Sequence, residues 1–323
     1  MSREPSARRP SPPTSPTPPT AGFDALRSRA RGAMLGLALG DALGATVEFM
    51  TPREIAASHG VHDRICGGGW LRLASGMVTD DTTMSFALAE AWLASDGPPD
   101  AEACAHAFDA WMRGKPVDIG NTVRRGILRW RLHATAQAAC SEQAGNGATM
   151  RCLPVALATL GAEPAVVRRA ALTQARVTHH NPLTDEATLC VVDMVQLALL
   201  GAGQAVVLAR AAALGRVHAA FAAHGRRCEN PSGYIVDTLR AVFQALAAAA
   251  DFETVLVDVV NRGGDADTTG AIAGMIMGAL VGEAGLPQHW RGALRREVAA
   301  ECARLADALI ARAPLCQSDD GLG

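Results

Sequence analysis

The sequence predicts an all-α fold, and three observations carry that reading. No stretch sustains the apolar–polar alternation of period two that marks half-buried strands. Hydrophobic residues make up 49% of the 323-residue chain while aromatics make up 4%, so the core must be built from Ala, Leu and Val in close-packed helices. Two segments also place glycine at every fourth position, Gly32, Gly36, Gly40 and Gly44 in the first and Gly270, Gly274, Gly278 and Gly282 in the second. On a helix that spacing makes one bare stripe. Glycine disfavours a helix by about 1 kcal/mol per position relative to Ala, so eight of them require a compensating contact. Close approach of the two helix backbones supplies one and predicts that these helices pack together at the centre of a single domain.

The elements follow in order. Residues 1–22 are rich in Pro, Ser, Thr and Arg and lack an apolar segment, which predicts a disordered tail rather than a secretory signal. The folded domain is expected over 23–312. Its first helix spans Leu26–Thr46, and a glycine loop follows at Cys66–Trp70 (CGGGW). Helical spacing recurs over Thr83–Ala94 and Ala101–Met112; Pro116 then breaks the chain within Gly114–Asn121. A basic helix is expected over Thr122–His133, a flexible loop over Ser141–Thr149, and an apolar helix from Arg151. THHNPLTDEA (178–187) leads into a long Ala-rich helical region, ENPSGY (229–234) forms a turn, and a helix runs from Ile235 to about Ala249. The second glycine-striped helix comes next, and the polar tail from Ala313 to Gly323 is expected to fray.

Composition narrows the function classes. Thirty basic against 32 acidic residues leave a formal charge of −2, so nothing calls for nucleic acid as a partner. The eight cysteines are dispersed without a CxxC pair, as in reduced intracellular thiols. No uninterrupted apolar run reaches the roughly 18–20 residues of a membrane span. A cytoplasmic monomer is the expectation.

Chemistry concentrates ahead of two helices. Thr79–Thr83 reads TDDTT and Asn261–Ala271 reads NRGGDADTTGA. Carboxylates and hydroxyls are hard oxygen donors that suit Mg²⁺ or Mn²⁺ rather than zinc. The four aspartates Asp80, Asp81, Asp265 and Asp267 balance the charge of two divalent ions, so both segments are expected to feed one binuclear centre. The competing reading is a pair of ordinary helix N-termini capped by Asp and Thr. Asp118 sits in the Pro- and Gly-bounded loop before Asn121, free to reach into a cleft or to form a turn with its own backbone. Glu48 follows the first striped helix, as a site acid or a solvated charge. Gly145-Asn146-Gly147 offers bare backbone N–H groups for phosphate oxygens, or is a turn. His179 and His180 could donate to a phosphate or sugar. Tyr234, the one tyrosine, could stack on a base or anchor the core.

The ordered set GLALGDALGATVEFM, TDDT, PVDIGNT, GNGATMR, TH…NP and NRGGDADTTGAIAG resembles the ADP-ribosylglycohydrolases over about residues 24–310. The resemblance implies an all-α hydrolase that removes ADP-ribose from arginine, with two divalent cations, Mn²⁺ or Mg²⁺. The implied ligands are Thr79, Asp80, Asp81, Asp265, Asp267 and Thr268. Asp118 matches the acid/base carboxylate, with Glu48 beside it; Asn121, Glu142, Gly145, Asn146, Gly147, His180 and Tyr234 match the substrate cleft. The sequence departs from the family's THNHP, reading THHNP at Thr178–Pro182, which places His180 one position early and Asn181 where the second histidine stands. Within the family, the tracts resemble bacterial members that reactivate the nitrogenase iron protein. That implies an ADP-ribosylated protein substrate and a PII-type signalling partner that draws the enzyme reversibly to the membrane. The alternatives are a glycohydrolase for another ADP-ribosylated substrate, and a silent ADP-ribose-binding protein of the same fold.

Overall fold

The computed structural model describes residues 22–317; all but the last residue of the tail read as disordered lies outside them. The described chain is helical, with two isolated bridges (Gly68 with Leu73, Gly145 with Tyr234) and no strand. In order the helices are α1 (Phe23–Gly44), α2 (Pro52–His59), α3 (Asp80–Ala94), α4 (Ala101–Arg113), α5 (Asn121–His133), α6 (Leu153–Ala158), α7 (Pro164–Arg176), α8 (Pro182–Leu199), α9 (Gln204–Val217), α10 (Ile235–Ala248), α11 (Phe252–Val260), α12 (Ala266–Val281), α13 (Gln288–Ala293), α14 (Arg296–Ala311) and α15 (Pro314–Gln317).

The two glycine stripes meet face to face, as their spacing predicts. A Cβ added at Gly32 would lie 2.3 Å from the Gly278 carbonyl oxygen, one at Gly36 2.2 Å from that of Gly274, and one at Gly40 2.0 Å from that of Gly270. Rising numbers on α1 face falling numbers on α12, so the pair is antiparallel, and it is the most extensive helix contact in the fold. α12 is buried along nearly its whole length, and α1 is buried from Gly32 to Gly44. α8, α10 and α11 pack on α12, and α14 and α3 pack on α1, completing one helical body around the seam.

Several connections differ from the sequence reading. α2 was not expected, although Thr51-Pro52-Arg53-Glu54 carries a capping box in which the Thr51 hydroxyl accepts from the Glu54 N–H and the Glu54 carboxylate accepts from the Thr51 N–H. The apolar helix expected from Arg151 splits at Gly161, whose φ is +82°, into the six-residue α6 and the amphipathic α7. The long Ala-rich region likewise splits at Gly201–Gly203 into α8 and α9. Of the end read as frayed, residues 318–323 lie outside the described residues; residues 314–317 form a helical turn, where the Leu315 N–H donates to the Leu160 carbonyl at 3.0 Å.

The antiparallel seam sets the position of the site. The end of α1 meets the start of α12, where a Cβ at Gly44 would lie 2.2 Å from the Ala266 carbonyl oxygen. α3 starts at the same point because Asp41, fully buried on α1, accepts the N–H groups of Thr79 (2.9 Å) and Thr82 (3.1 Å) and the Thr82 hydroxyl (2.5 Å).

Candidate metal centre and active-site cleft

Two helix N-termini, of α3 and α12, bring their acidic segments together beside the last turn of α1. Neither is an ordinary capped start. Thr79 and Asp265 occupy the N-cap positions without a side-chain capping bond, and the cap of α3 is the carboxylate of Asp41 supplied from α1. Gly263 and Gly264 make the turn into α12 with φ of +71° and +67°, and a Cβ at Gly264 would lie 2.0 Å from the Pro231 carbonyl oxygen, so no other residue fits there without backbone movement.

The expected ligands converge. The Thr79 hydroxyl donates to Asp81 (3.3 Å) and Asp267 (3.4 Å), and the Thr268 hydroxyl donates to the same Asp81 oxygen (3.3 Å). Oxygens of Glu48, Asp265 and Asp267 lie within 4.8 Å of one another, close enough to share a cation. Asp80 accepts from the Gly120 N–H at 3.3 Å, which ties the Asp118 loop to the cluster. Asp265 accepts from the Asn146 amide at 2.5 Å.

Electrostatics explain what such a cluster requires. Among the described residues, Asp41, Glu48, Asp80, Asp81, Asp265 and Asp267 form no ion pair with Arg, Lys or His. Burial pushes Asp80 up to about 7 and Glu48 up to about 8, with the neighbouring carboxylates adding to both. Burial also holds Asp81 and Asp267 well above the ordinary carboxylate value. The second oxygen of Asp81 is buried without a hydrogen-bond partner. An unpaired buried carboxylate is costly unless a cation meets it, so this all-oxygen donor set fits hard divalent metal ions.

A cleft of about 510 Å³ opens over the cluster. Of the expected residues, Glu48, Asp80, Asp118, Asn121, Gly145, Asn146, Gly147, Asp265, Asp267 and Thr268 line it, while Thr79 and Asp81 lie buried beneath. Asp118 is half-buried at the wall and accepts from the Ile119 N–H at 2.7 Å through one oxygen. Glu48, expected beside Asp118 as a proton-transfer group, belongs geometrically to the cation trio and accepts from the Trp70 indole N–H at 2.6 Å.

Three expected substrate contacts are not in the lining. Glu142 is exposed in the 141–149 loop. His180 turns away and bonds the Ala138 carbonyl through Nδ1 at 2.8 Å; its neighbour His179, buried, faces the cleft instead. Tyr234 is 42% exposed, so it is not a core anchor either, although its backbone pairs with Gly145 at the cleft edge. The departure at 178–182 has a local reason: Asn181 caps α8, accepting from the Leu183 N–H at 2.9 Å and donating to the Ser141 carbonyl at 2.7 Å. The Gly145–Gly147 turn also differs from a phosphate cradle, since the Asn146 N–H is already bonded to the Gly233 carbonyl at 3.1 Å.

Sequence reasoning missed the aromatic rim. Phe49 and Trp70, 63% and 52% exposed, stand 5.4 Å apart between ring centroids at the mouth beside Glu48. Phe49 has a φ of +63°, held by its N–H bond to the Gly264 carbonyl at 2.7 Å. The signal was present in the run GGGW, whose tryptophan has no apolar periodicity around it. Asp41 was also missed.

An all-helical body with unpaired carboxylates from two facing helix N-termini, under a polar cleft with a further carboxylate in its wall, defines a metal-site protein built to hold a polar ligand. The comparisons make this specific. The chain matches the ADP-ribosylglycohydrolase family over residues 23–319. It is 47% identical over 291 residues to the ADP-ribosyl-[dinitrogen reductase] glycohydrolase of Rhodospirillum rubrum, covering 90% of this chain and 98% of the relative. It is 35% identical over 288 residues to the ADP-ribosylarginine hydrolase Tri1 of Pseudomonas putida (strain GB-1), covering 81% and 73%. A solved structure described as an ADP-ribosylglycohydrolase-related protein complex superposes with a TM-score of 0.79 at 33% identity, over 90% of this chain and 99% of that one. The protein belongs to the ADP-ribosylglycohydrolase family.

Proposed function

We propose that the protein hydrolyses the N-glycosidic bond between ADP-ribose and an arginine side chain, and that its target is an ADP-ribosylated protein, the nitrogenase iron protein. The observation that supports the chemistry best is the placement of Asp118 in the wall of the cleft whose floor is the carboxylate cluster. The arginine substrate and the nitrogenase target rest on the names of the two relatives above.

In this reading Thr79, Asp80, Asp81, Asp265, Asp267 and Thr268, with Glu48 beside them, hold two divalent cations, Mg²⁺ or Mn²⁺. Bound there, they would orient the ribose hydroxyls and acidify water by Lewis acidity. The bond between the ribosyl C1″ and the guanidine nitrogen breaks, and water oxygen bonds to C1″. Asp118 takes the water's proton as general base and returns it to the guanidine nitrogen, which leaves with the electron pair of the broken bond, so that Asp118 ends as it began and the released arginine is cationic. The 2.6 Å bond from Trp70 fixes the Glu48 carboxylate at the rim side of the cluster. Asn146, bonded to Asp265 at 2.5 Å and Thr238 at 3.0 Å, fixes the opposite side. Among the described residues no helix is long and apolar enough to cross a membrane. A cytoplasmic monomer that a PII-type protein draws reversibly to the membrane is the proposed setting, and it rests on the family resemblance.

The test is turnover of ADP-ribosylarginine, and of ADP-ribosylated nitrogenase iron protein, by the purified full-length chain. Chelation should abolish turnover, and Mg²⁺ or Mn²⁺ should restore it. Asp118→Asn should keep fold and metal content and lower turnover by roughly 10²–10⁴-fold, the usual range for a positioned acid or base. A chelated enzyme that keeps full turnover would remove the metal role. Near-normal turnover of the Asn variant would leave Asp118 as a turn residue.

A further inference from the structure

The buried Arg151 lies behind the cleft. Its Nε donates to the Gln174 side chain at 2.9 Å, and its Nη2 donates to the Gln174 carbonyl at 2.9 Å and to Thr178 Oγ1 at 2.8 Å. A guanidinium only donates, so the Thr178 oxygen is an acceptor in that bond and its own proton must go elsewhere. Among the described residues, the one other polar atom bonded to that hydroxyl is His179 Nδ1, at 2.8 Å. If Nδ1 carried a proton, the buried Thr178 hydroxyl would have no acceptor, which is unfavourable for a buried polar group. The consistent arrangement is therefore a relay: Arg151 donates to Thr178, and Thr178 donates to Nδ1.

A neutral imidazole whose Nδ1 accepts carries its proton on Nε2. Burial, and then the nearby Arg151 and Arg125, push His179 down to about 3, so the ring is neutral. Its Nε2 edge lies against the two glycines of the 145–147 turn: a Cβ at Gly145 would come 3.0 Å from Nε2, and one at Gly147 would come 2.9 Å from Cε1. Glycine at both positions leaves room for the ring edge to reach the cleft, which His179 lines. Among the hydrogen bonds of the described residues, none occupies Nε2.

We propose that Thr178, held by Arg151, locks His179 in the tautomer with the proton on Nε2, and that this N–H is a fixed, neutral donor to an acceptor oxygen of ADP-ribose. The second half rests on the function proposed above; the first half does not. A neutral donor suits this cleft, because an imidazolium would be drawn to the neighbouring carboxylates instead of the ligand. Thr178 and Arg151 are positioning residues, acting through the ring.

The test separates the two halves. Histidine ¹⁵N spectra of the full-length protein with Mg²⁺, the His179 signals being those lost in His179→Gln, should show an unprotonated Nδ1 and a protonated Nε2 across the neutral pH range. Thr178→Val should mix the tautomers and raise the Kd for ADP-ribose about tenfold, as expected for one neutral hydrogen bond, and Thr178→Ser should restore both. His179→Gln, whose amide N–H can reach the place of Nε2, should bind ADP-ribose better than His179→Asn, whose donor falls at the place of Nδ1. A protonated Nδ1 in the wild type, or an unchanged tautomer in the valine variant, would overturn the lock. An unchanged Kd in the valine variant would overturn the donor role. A wild type with the expected tautomer that binds no ADP-ribose would overturn the ligand assignment and the functional reading with it, leaving the lock in place.

Discussion

Replacing Gly40 by alanine tests the seam on which the site is built. The new Cβ would lie 2.0 Å from the Gly270 carbonyl oxygen and 2.3 Å from its carbon, both backbone atoms of α12, so no side chain can turn aside to make room. Restoring ordinary contact at 3.4 Å moves the helices apart by about 1.4 Å locally. Overpacking a core costs about 1–3 kcal/mol when side chains can adjust, and here they cannot, so the upper end applies. Alanine's better helix propensity returns about 1 kcal/mol. The net loss is about 2 kcal/mol or more, a fall in Tm of at least about 4 °C at the roughly 2–4 °C per kcal/mol typical of large domains. Because Asp267 and Thr268 precede Gly270 on the same helix, the shift should also weaken Mn²⁺ binding. Gly292→Ala is the control: that glycine has nothing within 4 Å of its added Cβ, so Tm should hold or rise. Thermal denaturation and a Mn²⁺ titration on both variants decide it. A Gly40→Ala protein as stable as the control would refute the close-approach argument.

Two further outcomes are expected. Asp41→Asn leaves one acceptor oxygen where the carboxylate serves Thr79 and Thr82 through two; Tm should fall by an amount matching about 1–3 kcal/mol, and Mn²⁺ affinity should fall with it as the start of α3 loosens. Asp307 on α14 accepts paired bonds from both Arg27 and Arg31 of α1, at 2.6–2.9 Å, and these hydrogen bonds hold its carboxyl well below the usual range. A depressed folded value gives stability above the ordinary carboxylate pKa that is lost as pH falls through the folded value. The Tm gap between wild type and Asp307→Asn should therefore be largest at neutral pH and close in acid, and a gap independent of pH would refute the linkage.

What could be read from the sequence was what repeats at fixed spacing or clusters locally. The glycine stripes repeat every fourth residue, so their packing could be inferred from the chain alone. The acidic segments announce themselves because two aspartates and their threonines are adjacent, and Pro116 marks the loop that frees Asp118. What escaped depends on contacts between distant positions. Asp41 interrupts an apolar helix, which reads as a blemish until Thr79, 38 positions on, is seen to start a helix against it. His179 and His180 are neighbours in the chain and face opposite ways: one backs onto Thr178 and Arg151, and the other bonds Ala138. No periodicity distinguishes them, because the turn after α7 decides which ring points inward. Tyr234 matches the cleft through its motif; its backbone pairs with Gly145 while its side chain is 42% exposed, a difference that no local pattern in the sequence marks.

The seam and the acidic cluster are linked by energetics as well as by position. Bringing six carboxylates together in a buried place opposes folding, and burial shifts each of them toward the neutral form. A loosely packed frame would relax by opening, since each ångström of separation weakens the repulsion and lets water in. Two helices locked backbone to backbone cannot open gradually, because their contacts are either made along the stripe or lost. Asp41 extends that rigidity to α3, and Gly264, with its Cβ position 2.0 Å from the Pro231 carbonyl oxygen, extends it to the turn that carries Asp265. The frame thus holds the oxygens close without any cation, and the repulsion among them would become attraction on binding the divalent ions proposed above. The eight glycines therefore shape the acidic cluster through the seam, at a distance from its carboxylates.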